Sequence, residues 1–170
     1  VPNLALRAER APNLEGARLA GYGDDFAGAL ARAATADLVV LLDPWLTPEE
    51  QAALGRIQGS LVVLGTIASD ALESAHVVLP VSTYVEEHGT FVNRDGRVQR
   101  FLPARTGPGM ARPAWWFAAE ALGVLKGGAV PDTAARAFAR LADRIPALAG
   151  LTHESLGFFG RQAAAAGAAR

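Results

Sequence analysis

The sequence contains no cysteine at all. That single absence removes disulfides, thiolate zinc sites, cysteine nucleophiles and every cysteine-ligated iron–sulfur cluster. Charge of one sign is also lacking: 16 basic and 17 acidic side chains leave a net charge of −1. The arginines are scattered among acids rather than gathered in a block, so no field points toward nucleic acid or anionic lipid. Long apolar runs are missing too. Leu38–Leu42 falls far short of the ~20 residues a helical membrane span needs, so direct membrane insertion is not expected and the chain reads as soluble. No charged segment followed by an apolar stretch opens the sequence, so no signal peptide is seen. The start at Val1 rather than Met reads as a piece of something longer.

What is present is globular: 51% hydrophobic and 19% charged residues over 170 positions, enough for one domain with a real core. The opening twenty residues read as an irregular lead-in. Gly21–Gly23 reads as a turn, after which Asp24 or Asp25 can cap a helix to about Ala34. Asp37–Leu42 is a continuous β-branched and leucine run, as expected of a strand covered on both faces. Thr47-Pro48-Glu49-Glu50 has the pattern of a capping box with proline at the first helical position. Leu61–Gly65 predicts a second buried strand. A short helical turn over Ser69–Ser74 then leads to a third strand, His76–Pro80. This alternation predicts an α/β fold, a Rossmann-like parallel sheet flanked by helices.

From Val81 to Gly109 the texture is Gly, Thr, Asn, Arg and Pro without helical period, which predicts a long ordered loop. Helices follow over Pro113–Leu122, ended by Gly123, and from about Asp132, with Ala134, Phe138, Leu141 and Ile145 on one face. A last short element covers Thr152–Phe159. The expected organisation is a single domain over residues 1–162 with an alanine-rich tail, 163–170, that frays.

Most candidate chemistry has a blander explanation. Gly21-Tyr22-Gly23 is too short for a dinucleotide fingerprint. Glu86-Glu87-His88 clusters three potential ligands, but neighbours in sequence point apart, so a solvated or capping role is favoured over metal binding. His76 and His153 are isolated and read as local hydrogen-bonding residues. Ser69, Ser74 and Ser82 lack a nucleophile-elbow setting. Trp115 and Trp116 suit a core or an interface as well as a ligand. No catalytic residue and no metal site is therefore assigned. One segment stands out, lying beyond the third strand where open α/β sheets bind ligands. There Thr90, Asn93, Arg97 and Gln99 offer hydroxyl, amide and guanidinium groups to an anion or polar heterocycle, or else fix the loop to its own domain.

These residues carry a resemblance. Val78-Leu79-Pro80, Glu86/Glu87 and Gly89-Thr90-Phe91-x-Asn93-x-x-Gly96-Arg97-x-Gln99 resemble the motif of the molybdopterin oxidoreductase family. Pro108-Gly109-x-Ala111-Arg112-Pro113-x-Trp115-Trp116 is similar to its continuation, and Thr152–Leu156 with Gly160 to a later stretch. His76 stands where the family has aspartate, and the large β-rich domain that follows in the catalytic members is not seen. Those departures resemble the branch formed by the large iron–sulfur subunits of NADH:quinone oxidoreductases, which keep the fold without the molybdenum cofactor. The resemblance implies a C-terminal portion with no cofactor of its own, iron–sulfur clusters elsewhere in the subunit and FMN in the holoenzyme. It implies other peripheral-arm subunits as partners and a cytoplasmic position at the inner face of the plasma membrane. A molybdopterin enzyme such as a formate dehydrogenase, with Thr90, Asn93, Arg97 and Gln99 on the cofactor, is the alternative. A stand-alone scaffold or binding module is a third.

Overall fold

The computed structural model describes residues 13–23 and 25–164. The described chain is mixed α/β and falls into two compact units, one built within residues 23–88 and 102–137, the other on residues 13–22, 89–101 and 138–164.

The second of these units opens with α1 (Leu14–Leu19), where the sequence predicts an irregular lead-in; residues 1–12 lie outside the described residues.

In the first unit, helix α2 (Phe26–Ala33) is capped by Asp25, whose carboxylate accepts from Gly28 N at 2.8 Å. Asp24, the other possible cap, lies outside the described residues. Strand β1 (Leu38–Leu42) leads to α3 (Pro48–Leu54), β2 (Ser60–Gly65), a 3-10 turn (Asp70–Ser74) and β3 (Val77–Pro80). The capping box forms as the sequence predicts: Thr47 Oγ1 accepts from Glu50 N, and Glu50 Oε2 accepts from Thr47 N at 2.8 Å. Two parallel ladders give the order β1-β2-β3, with Val39 opposite Leu61 and Val63 opposite Val78.

Successive crossovers that step in one direction put their helices on one face, because each is right-handed. Leu54 of α3 and Ala71 accordingly pack with Leu61 and Val63 in one cluster, which Leu30 of α2 joins. The opposite face is different. Leu38, Val40 and Leu42 of β1 are 54%, 54% and 60% exposed, and Val77 of β3 is exposed as well. The expectation that the first strand is covered on both faces is therefore corrected; an uninterrupted apolar run cannot tell a two-sided burial from an uncovered face.

Helix α4 (Ala114–Lys126) runs through Gly123 rather than stopping there. A Val130 methyl fills the space a Cβ would take at Gly123, and the helix ends at Gly127, where φ is 69°. An internal glycine costs a helix only about 1 kcal/mol, so it is a weak stop signal.

In the second unit, the stretch expected to be one long loop contains a β-hairpin, β4 (Gly89–Val92) with β5 (Arg97–Phe101), to which β6 (Arg161–Gln162) adds antiparallel. The strands are short and only Val92 and Val98 are buried, too few for a period-two signal to show. They meet Phe138 and Ala142 of α5 (Ala134–Ala142), Leu148, and Leu156 of α6 (His153–Leu156). Leu141, predicted for the buried face of α5, is exposed. Within the expected frayed tail, Ala163 N and Ala164 N donate to Gly96 O and Ala147 O; residues 165–170 lie outside the described residues.

Candidate functional site

The hairpin holds all four polar residues singled out in the sequence, and it does not bring them together. Thr90 shares a strand face with Val92 and Val98, and its hydroxyl lies 2.8 Å from His153 Nε2. The His153 ring in turn sits 5.3 Å from that of Phe138. Asn93 builds the turn. Its Oδ1 accepts from Asp95 N at 3.0 Å and Arg97 N at 2.8 Å, while its own N–H donates to Arg97 O. Gly96 closes the turn at φ 75°, a conformation glycine adopts without strain. Arg97 and Gln99 are exposed on the other face, beside Phe91 and Phe101, whose rings stand 4.7 Å apart. Gly89 lies under the Phe101 ring, which occupies the place of a Cβ.

A cofactor anchored by this set needs its donors to converge. Thr90 Oγ1 is engaged with His153, Asn93 gives its Oδ1 to the turn, and Arg97 and Gln99 project from the face opposite Thr90. As a set, Thr90, Asn93, Arg97 and Gln99 do not fit a single molybdopterin-type ligand. Iron–sulfur clusters fit no better, since the sequence offers no cysteine. Among the described residues no group of three or more metal-ligating side chains comes together.

Sequence reasoning applies the ligand rule for open sheets at β3 and misses the carboxyl ends of β1 and β2. Asp43 leaves β1 at φ 46°, an unusual conformation for a residue with a side chain. Its carboxylate accepts from Thr66 N at 2.9 Å and from Thr66 Oγ1, and its N–H donates to Leu64 O at 2.7 Å. The loops after the two strands are thereby tied together. Trp45, 80% exposed, stands between two concavities. The larger, about 370 Å³, includes Phe26, Val40 and Asp43; the smaller, about 240 Å³, includes Gln51, Ile67 and Asp70. Gln51 Nε2 donates to Asp70 O at 2.7 Å, but its Oε1 is enclosed with no partner among the described residues. The open Trp45 indole offers a flat apolar surface on which a planar ligand can stack. The signal in the sequence is Asp43-Pro44-Trp45 directly after a parallel strand.

Glu86-Glu87-His88 resolves into separate roles. Glu86 Oε2 accepts from Thr83 N at 3.0 Å and Oε1 meets Arg105 at 2.8 Å. The Thr83 amide first, and the Arg105 charge after it, hold this carboxyl below its ordinary range. Glu87 is the opposite case: burial pushes its carboxyl up to about 7, and its Oε2 is enclosed without a partner among the described residues. His76 has a structural task. Its Nδ1 accepts from Leu61 N at 3.0 Å while its own N–H donates to Leu61 O. An aspartate at this position would offer the same kind of acceptor, which accounts physically for the exchange of residue type.

The first unit is thus a parallel α/β sheet with helices packed on it, and the second is built on an antiparallel hairpin. Residues 30–122, more than half of the chain, match the molybdopterin oxidoreductase model, and the chain belongs to that family. It is 34% identical over 103 residues to the F420-dependent formate dehydrogenase 2 subunit alpha of Methanococcus maripaludis, covering 59% of this chain and 15% of that protein. Over 122 residues it is 31% identical to the G 2 subunit of the NADH-quinone oxidoreductase of Rhizobium meliloti, covering 70% of this chain and 14% of that one. It is also 51% identical over 41 residues to the mitochondrial NADH-ubiquinone oxidoreductase 78 kDa subunit of Candida albicans, covering 24% and 6%. The chain thus spans no more than 15% of the length of these relatives.

Proposed function

We propose that this chain is a structural region of the large iron–sulfur subunit, of the G type, of an NADH:quinone oxidoreductase. It supports electron transfer from NADH to quinone without carrying a redox centre. The observation that carries this reading is the hairpin: of the motif's would-be ligand groups, Thr90 Oγ1 is engaged by His153 and Asn93 Oδ1 by the turn. The cysteine-free sequence and the match to the Rhizobium protein over 70% of the chain support the same reading. Clusters then sit elsewhere in the full subunit and FMN in the holoenzyme. The partners are the other peripheral-arm subunits, and the location is the cytoplasmic side of the plasma membrane. Among the described residues no helix is long and apolar enough to cross a membrane.

A second reading, a cofactor-binding part of a molybdopterin oxidoreductase such as a formate dehydrogenase, draws support from the other site. The exposed Trp45 indole after β1, which lines both concavities, suits stacking on a flat heterocycle. When bound, that cofactor supplies the redox chemistry; this chain's Trp45 would only stack on it.

One purification separates the two. The native full-length subunit, tagged in its own host, is isolated with its partners and assayed for FMN, iron and molybdenum. The first reading expects FMN and iron with no stoichiometric molybdenum, and NADH oxidation by the purified complex. Stoichiometric molybdenum, lost in a Trp45→Ala variant that still assembles, overturns it in favour of the second.

A further inference from the structure

We draw no further inference here: the strongest candidate, the exposed apolar face of the parallel sheet formed by Leu38, Val40 and Leu42 of β1 with Val77 of β3, is an unpartnered surface, and nothing in the structure shows what covers it.

Discussion

Glu87→Gln makes the pH dependence of this fold directly measurable. The Glu87 carboxyl is half-buried, its Oε2 has no partner among the described residues, and burial pushes it from 4.5 to about 7. Well below pH 4.5 the folded and unfolded chains both carry the proton, and ionisation costs the fold nothing. As pH rises, the unfolded chain ionises first while the folded chain keeps its proton. Folded protein then binds more protons than unfolded, so stability falls with pH until the folded carboxyl has also ionised, just above 7. The gap corresponds to about 3 kcal/mol at about 1.36 kcal/mol per pH unit. Solvent screening of a half-open side chain trims this to about 1–2 kcal/mol. Glutamine keeps the shape and cannot ionise. The variant is therefore expected to match the parent near pH 4.5 and to exceed it by about 1–2 kcal/mol at about pH 8. Urea titrations followed by tryptophan fluorescence at about pH 5, 6, 7 and 8 provide the assay. Trp45, Trp115 and Trp116 all lie in the same unit as Glu87. Glu86 titrates with the opposite sign, its lowered pKa contributing stability that is lost as pH falls. Only the difference between variant and parent isolates Glu87. A difference that stays constant across the series, or grows toward low pH, refutes the reasoning.

Other outcomes follow from individual contacts. Asn93→Ala removes the acceptor for Asp95 N and Arg97 N and should destabilise by about 1 kcal/mol. Arg97→Ala, exposed on the hairpin's outer face, should stay within about 0.5 kcal/mol of the parent. Equal losses from the two in thermal unfolding would contradict the turn-building role of Asn93. Gly160→Ala places a methyl against the Val98 carbonyl at φ 75° and should cost more than about 1 kcal/mol, read as a lowered Tm. Leu61→Ala empties a position that is 1% exposed at the centre of the parallel sheet, and a loss of about 2–5 kcal/mol in urea titration is expected. Thr47→Ala opens the capping box of α3 at about 1 kcal/mol in the same assay.

Much of the fold is legible in the sequence because its signals are local. A capping box is a four-residue pattern, and Thr47 with Glu50 forms it. The strand-and-helix rhythm from Asp37 to Pro80 needs only hydrophobic runs and turn residues, and all three parallel strands lie where those runs are. The hairpin is not legible, since short strands with one buried valine each carry no periodic signal, and β6 pairs with β5 from far along the chain. The candidate residues are visible as a motif, but their division is not. Whether Thr90 and Arg97 face the same way depends on strand register, and the acceptor role of Asn93 on a turn that closes only once the hairpin forms.

By itself the sequence determined composition-level exclusions, above all the lack of any thiolate ligand, together with the α/β class and the family motif. These depend on which residue types exist and on their near neighbours. Only the tertiary structure decided that Thr90 Oγ1 and Asn93 Oδ1 are engaged within the fold while Arg97 and Gln99 stay exposed, and that Trp45 stands open at the strand ends. It also decided that Leu38, Val40 and Leu42 of β1 are exposed among the described residues. Those are properties of which atoms meet across distant segments, and chain order alone does not specify them.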